Sequence, residues 1–519
     1  MLSIGATIRL AGTFLRSGFL NPGRPDRVVQ QVNAVVQWGL SLAGEYISAA
    51  RRDPDRIAII DEAGSVTFAE LDRRTDRIAA VFAENGTPTI GILCRNHRGF
   101  VEAMVAASKL GCDVVLLNTS MSAPQLRDVH SEQHIGLVVV DEEFIPLLDG
   151  IDVPVHVAWS DSGASDMERH AVSGPTGQWT PPKRTGRTII LTSGTTGTPK
   201  GARRPKPGIV AAATVLERLP LRVGDRVLIA APLFHAWGYG GLQCATGLRA
   251  TVVLHRRFEP GPINDLLVEK RCAGLWVAPV MLSRLLHDGA PPNLQRLRVV
   301  ASSGSSLPGD LALEFMDSYG DVLYNFYGST EASWVAIAGP ADLRAAPGTA
   351  GRPPLGTRLA IFAEDGTKQV QGHTGQIFVH NGMLFDGYTH GGGKDMRDGM
   401  MRTGDVGHLD DAGRLFVDGR EDDMVISGGE NVYPREVEDL LAKMPGVREC
   451  CVTGVSDPEW GQRLAAWIVC DPGVTLDAEV VRKHVRENLA RFCVPRDVHF
   501  LDLLPRNPAG KIMARELPV

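Results

Sequence analysis

The residues with most chemistry to offer lie in one stretch, Leu191-Thr192-Ser193-Gly194-Thr195-Thr196-Gly197-Thr198-Pro199-Lys200-Gly201, directly after an apolar run at 188–191. Glycines let successive backbone N–H groups turn toward one point, the hydroxyls add donors and Lys200 adds a charge. That combination suits the oxygens of a polyphosphate. It is not a Walker A loop: counting from Gly194, Pro199 takes the place of the second glycine, and Gly201 follows Lys200 where a Ser or Thr would reach magnesium. A Ser/Thr/Gly-rich surface turn has the same composition, so other segments must decide.

Five further segments follow in order: Tyr327-Gly328-Ser329-Thr330-Glu331, Thr403-Gly404-Asp405, Gly419-Arg420-Glu421-Asp422, Ser427-Gly428-Gly429-Glu430-Asn431-Val432-Tyr433-Pro434 and Pro505-Arg506-Asn507-Pro508-Ala509-Gly510-Lys511-Ile512. With the phosphate loop, they resemble the signature of the adenylate-forming superfamily, which comprises acyl-CoA synthetases, amino-acid adenylation domains and beetle luciferases. The resemblance spans roughly residues 50 to 517 and is nearest the fatty-acyl-CoA synthetase branch. It implies an ATP-dependent acid–thiol ligase. A carboxylic acid, with a fatty acid as the expected class, would become an acyl-adenylate with release of pyrophosphate, and the acyl group would then pass to CoA with release of AMP. An acyl-AMP ligase loading a carrier protein is the alternative acceptor reading. An ATP-binding homologue without turnover is a third, opposed by the intact set Glu331, Asp405, Arg420 and Lys511.

Joining a carboxylate to an α-phosphate brings two anions together, so such a site needs cations and in-line positioning. By resemblance, Lys511 is the catalytic cation of the first step, Thr330 donates to the α-phosphate and Glu331 holds Mg2+, a hard cation that prefers carboxylate oxygen. Thr192, Ser193, Gly194, Thr195, Thr196, Gly197 and Lys200 would surround the ATP phosphates, Lys200 steering pyrophosphate. Tyr327 and Asn325 would meet the adenine, Gly328 is a further ATP-binding position, and Asp405 and Arg420 would meet the ribose and phosphate side. Asp422 falls at the family's hinge, where the C-terminal domain swings after adenylation to present Ser427, Gly428 and Gly429 as a thiol tunnel. The segment Pro232-Leu233-Phe234-His235-Ala236-Trp237-Gly238 has no carboxylate to bind a substrate ammonium, which argues against an α-amino acid. His235 and Trp237 instead read as gate and wall of an acyl pocket, with Gly241 and Gly304 leaving space beside it.

The elements that must hold these residues can be read from periodicity. Short β-rich runs alternate with helices from about residue 56 (89–94, 114–117, 137–140), a looser stretch follows at 161–185, and a second series runs 188–192, 226–231, 251–254, 275–278, 297–301 and 322–326. The expected fold is α/β: a large N-terminal domain of two α/β layers plus a small β-rich subdomain, then a small α+β C-terminal domain, which the resemblance implies is mobile and carries the catalytic lysine. The expected boundaries are 1–50 for an amphipathic extension, 51–421 for the adenylation domain and 422–519 for the C-terminal domain.

With a net charge of -6 and no block of like charges, nucleic acid is not an expected partner. The eight cysteines form no C-x-x-C pair, so neither a disulfide framework nor a thiolate zinc site is implied and a cytoplasmic setting fits. No apolar run is long enough to span a bilayer. Ile4, Ile8, Ala11 and Leu15 recur at helical spacing opposite Arg9 and Arg16, a pattern that fits a helix docked on its own domain or one lying at a membrane surface through residues 1–20. The chain ends eight residues after Lys511, so the acceptor is expected to be a separate molecule. Nothing in the residues speaks to oligomeric state.

Overall fold

Runs of Val, Ile and Leu four or five residues long build two mostly parallel sheets in a computed structural model that describes residues 4–163, 165–192, 200–203, 209–389, 391–421, 423–427, 430–457, 461–508 and 510–518. The six-stranded sheet has the order Val155–Trp159, Leu137–Asp141, Thr89–Leu93, Asp113–Leu116, Thr188–Thr192, Lys200–Arg203, parallel except for its last strand. Its strands are apolar on both faces because both are covered. Ile90, Ile92, Val114, Leu116 and Val139 face one core, while Leu93, Val115, Val138 and Val140 face another.

The eight-stranded sheet runs Ser333–Ala338, Leu323–Ser329, Val299–Ser302, Gly274–Val277, Arg226–Ile229, Thr251–Leu254, Ile57–Asp61, Gly64–Thr67, with only its two edge strands antiparallel. Helices Arg98–Leu110 and Ala236–Gly247 share one core with both sheets, and Arg98–Leu110 is buried almost throughout. Pro279–Asp288 and Gly309–Tyr319 cover the far face of the eight-stranded sheet.

The two layers are present, but the chain does not fill them in the expected order. Thr188–Thr192, read as the start of the second series, pairs with Asp113–Leu116 in the first sheet, and Ile57–Asp61 pairs with Thr251–Leu254 in the second. Strand partnership across such separations depends on side chains that meet only in the fold, and periodicity does not report it. The looser stretch also holds a short helix, Asp166–Ser173, started by Ser165 accepting from the Glu168 N–H and anchored by buried Met167 and Ala171 one turn apart.

A twisted antiparallel sheet follows, in which Met400–Leu409 pairs with both Gly375–His380 and Leu415–Arg420. The C-terminal piece packs helices Pro434–Leu441 and Ala478–Asn488 on the long hairpin Val447–Asp457 and Gly461–Cys470, with its own apolar core around Val437, Leu441, Ile468 and Val481.

Three helices open the chain: Ile4–Arg16, Pro25–Trp38 and Leu42–Arg52. The first lies on helix Ile209–Arg218, and the Ser17 carbonyl accepts from the Val223 N–H at 2.8 Å. Among the described side chains, Leu10, Thr13 and Ser17 just past its end are buried, whereas Ala11 and Leu15, of the stripe read as apolar, are exposed. Among the described residues no helix is long and apolar enough to cross a membrane.

Candidate functional site

The C-terminal ends of the eight-stranded sheet open into a cleft of about 1480 Å³ that the C-terminal piece closes from above. Strand Leu323–Ser329 brings Asn325 and Tyr327 to its floor and ends in the turn holding Thr330 and Glu331, before Ser333–Ala338 returns antiparallel. Gly328 permits that turn, since a Cβ there would run into the Ser333 carbonyl oxygen. The Asn325 amide donates to the Thr349 carbonyl at 3.1 Å, and the Ser329 hydroxyl accepts from the Ala332 N–H at 3.1 Å.

Tyr327 donates its phenol to Asp405 Oδ2 at 2.5 Å, and burial together with that carboxylate pushes the phenol well above its ordinary pKa. Asp405 is fixed in turn by its N–H on the Thr403 hydroxyl at 3.1 Å, and it stands directly across the strand pair from Arg420. An aromatic ring, a carboxylate and a guanidinium from three strands thus converge on one edge of the cleft.

Glu331 lines the same cleft. Its Oε1 accepts from the Tyr388 hydroxyl at 2.8 Å, and burial followed by the Glu331 charge raises the Tyr388 pKa. Lys200 Nζ stands 5.8 Å from the centre of the same ring, a cation–π arrangement. Among the described residues Glu331 has no ion-pair partner, so its carboxylate is an anionic oxygen donor facing the cleft. That donor chemistry fits a magnesium ion held by one carboxylate and by nucleotide phosphates.

His235 and Trp237 begin helix Ala236–Gly247. The Trp237 indole donates to the Val277 carbonyl at 2.9 Å and stacks against Trp276 with centroids 6.0 Å apart, while Phe326 lies 5.0 Å away. Trp334 meets Phe326 edge-on at 6.4 Å, so three aromatic rings wall this end of the cleft and Trp276 backs them. Burial, and then the charge of Lys511, pushes the His235 imidazole down to about 4, which leaves it neutral at ordinary pH. Gly304, with φ near +100° and no atom within 4 Å of a built Cβ, opens onto the cleft. Gly241 does not: its missing side chain is replaced by the Trp276 ring, 2.8 Å from where a Cβ would stand, so it serves close packing and leaves no room for an acyl chain.

Lys511 reaches the cleft on a tight turn. Its N–H donates to Asn507 Oδ1 at 2.9 Å, the Asn507 N–H donates back to the Lys511 carbonyl at 2.9 Å, and Arg506 bonds both the Gly510 carbonyl and Glu449, each at 2.7 Å. Gly510 has φ near +83°, and a Cβ there would strike Val280 at the start of helix Pro279–Asp288. Glycine is therefore needed both for the turn and for seating it against the larger domain.

The structure thus brings Asn325, Tyr327, Gly328, Thr330, Glu331, Asp405, Arg420, Lys200, His235, Trp237, Gly304 and Lys511 around one cleft. Ser193, Gly194, Thr195, Thr196, Gly197, Asp422, Gly428 and Gly429 lie outside the described residues, as do the side chains of Thr192 and Ser427. Strands Thr188–Thr192 and Lys200–Arg203, which pair antiparallel, bracket the phosphate loop.

Sequence reasoning missed two positioning residues. Tyr388 sits in a glycine-rich turn with no motif around it. Buried Asn96 lies between strand Thr89–Leu93 of the other sheet and helix Arg98–Leu110; its amide donates to the Ile229 and Ala231 carbonyls at 3.1 and 2.9 Å and accepts from the Leu233 N–H at 2.8 Å, tying down the segment that leads into His235. The neighbouring buried cluster of Cys94, His97 and Asp141 is spent on structure. His97 Nδ1 accepts from the Gly99 N–H at 3.1 Å, so Nε2 carries the proton and donates to Asp141 at 2.7 Å, leaving no ring nitrogen for a metal.

Comparison with known proteins matches residues 47–389 to the AMP-binding enzyme family and residues 436–511 to the AMP-binding enzyme C-terminal domain. The chain belongs to this family. It is 31% identical to an indoleacetate–CoA ligase of Aromatoleum aromaticum, over 89% of this chain and 94% of that one. It is 33% identical to a 2-succinylbenzoate–CoA ligase of Bacillus licheniformis, over 90% and 98% respectively. Among solved structures it resembles an o-succinylbenzoate CoA synthetase from Bacillus subtilis in complex with its acyl-adenylate intermediate, with a TM-score of 0.80, 29% identity and coverage of 91% and 97%.

Proposed function

We propose that this AMP-binding enzyme is an AMP-forming acid–CoA ligase for a compact, apolar and preferably aromatic carboxylic acid. The observation that carries the reaction class is the convergence of Glu331, Asp405, Arg420 and Lys511, from both parts of the chain, on one cleft. In the first step a carboxylate oxygen attacks the α-phosphorus of ATP, the bond to pyrophosphate breaks and an acyl-adenylate forms. Lys511 offsets the repulsion between the two anions, Thr330 donates to the phosphate, Asp405 accepts from the ribose hydroxyls and Tyr327 lies against the base. Glu331 would hold magnesium, which when bound would supply positive charge at the phosphate oxygens. In the second step the CoA sulfur attacks the acyl carbonyl and AMP leaves.

The acid class rests on the walls. Neutral His235 presents no charge that would favour a second carboxylate, and Trp237, Phe326 and Trp334 offer flat apolar faces. Trp237 is pinned by its bond to Val277 and by Trp276 behind it, which shortens the pocket against a long chain. The named relatives act on indoleacetate and 2-succinylbenzoate; both are aromatic and lend no support to the fatty acid expected from the motifs. The second carboxylate of 2-succinylbenzoate is a group that the walls of this chain's cleft do not favour.

The test is pyrophosphate exchange against arylacetic, cinnamic and straight-chain fatty acids, followed by AMP release with and without CoA. Exchange strongest with aromatic acids and AMP release stimulated by CoA are expected. Strongest exchange with long fatty acids overturns the pocket reading, and exchange without CoA stimulation overturns the acceptor.

A further inference from the structure

Two helices precede the part of the chain that the family shares: the family match begins at residue 47, and the relatives above align with 89% and 90% of this chain. At 3.6 residues per turn, Leu10 and Thr13 of helix Ile4–Arg16 and Ser17 just after it fall within about 60° of one another, and these are the buried positions among the described side chains there. Ala11 and Leu15 fall about 150° away on the solvent side, with exposed Arg9 and Arg16 between the two faces. Leu15 is 64% exposed and Leu20, just past the helix, 57%. The next helix repeats the arrangement: Ala34 is buried, while Val29, Val32 and Val36, spaced for one stripe, are 58%, 54% and 77% exposed. Large aliphatic side chains concentrated on the outer faces of two successive helices indicate a partner.

Charge selects the partner. Residues 1–38 contain Arg9, Arg16, Arg24 and Arg27 against Asp26 alone, which pairs with Arg24 at 3.0 Å, so both helices together stay net positive in a chain whose net charge is -6. A second copy docking through the same surface would bring like arginines together. An anionic bilayer accepts the aliphatic stripe among its acyl chains and the arginines at its headgroups. We propose that helices Ile4–Arg16 and Pro25–Trp38 form a docking surface for anionic lipid membranes, holding the enzyme at the interface without crossing it. The proposal rests on these helices and not on which acid the enzyme takes.

Co-flotation of the purified full-length chain with phosphatidylcholine vesicles, with and without phosphatidylglycerol, tests this. Binding at least tenfold stronger with phosphatidylglycerol, weakened by added salt, is expected. A variant carrying Leu15→Glu, Leu20→Glu, Val32→Glu and Val36→Glu should lose binding while keeping its thermal unfolding midpoint, because all four side chains already face water. Arg9→Glu with Arg16→Glu should abolish the preference for anionic vesicles. Absence of flotation, equal flotation on neutral vesicles, or unchanged flotation of the quadruple variant overturns the proposal. So does a wild-type dimer in light scattering that the quadruple variant converts to monomer, since the stripe would then be covered by a second copy.

Discussion

His235 lies where burial and a neighbouring ammonium act in the same direction, and its neutrality follows from both. The folded imidazole takes its proton only near pH 4, whereas the unfolded one takes it near 6.5. Between these values the unfolded chain binds the extra proton, so this group's contribution to stability is present above about pH 6.5 and is lost as pH falls toward 4. A His235→Asn variant should show a smaller fall in unfolding midpoint than the wild type between pH 7 and 5; equal falls would mean that His235 titrates normally. Individual side chains were the most legible part of this protein. Tyr327, Glu331, Asp405, Arg420 and Lys511 each sit in a short segment whose neighbours serve local geometry, such as the Gly510 turn or the Gly328 reversal, and local geometry is what spacing records.

Elements were legible in kind and less so in arrangement. Apolar runs bounded by glycine and proline identified the strands, but strand Thr188–Thr192 joins the first sheet and Ile57–Asp61 the second because of contacts made more than 70 residues away. The same distance hid Asn96, which lies in the first α/β layer and holds the Ile229 to Leu233 segment of the second. Asn96→Ala would leave two carbonyls and one N–H without their partner in a buried setting, at a cost of roughly 2–4 kcal/mol. Since that segment leads into His235 and Trp237, KM for the acid should rise several-fold more than KM for ATP. Equal changes in both, or none, would show that the clamp has no part in shaping the acid end. Periodicity likewise found helix Ile4–Arg16 but not its packed side, because Thr13 and Ser17 are small polar residues buried against a neighbour no local pattern reveals.

At the scale of the whole molecule, the proposed reaction depends on a lysine that one folded unit places in a cleft built by another. Arg506, Asn507 and Gly510 shape the turn that carries it, and Val280 and Ala278 receive that turn. A group delivered in this way can be present for one half-reaction and absent for the next. The aromatic end of the cleft, by contrast, is built by Trp237, Phe326 and Trp334, with Trp276 behind Trp237, meeting from four separate strands and helices, which no motif encodes. The most direct measurement separates the two steps in a Lys511→Ala variant. Pyrophosphate exchange should fall by about 10²-fold or more, while conversion of supplied acyl-adenylate to the CoA thioester should stay within a few-fold of wild type. Equal loss of both half-reactions, or exchange that survives intact, would contradict a lysine that serves adenylation alone.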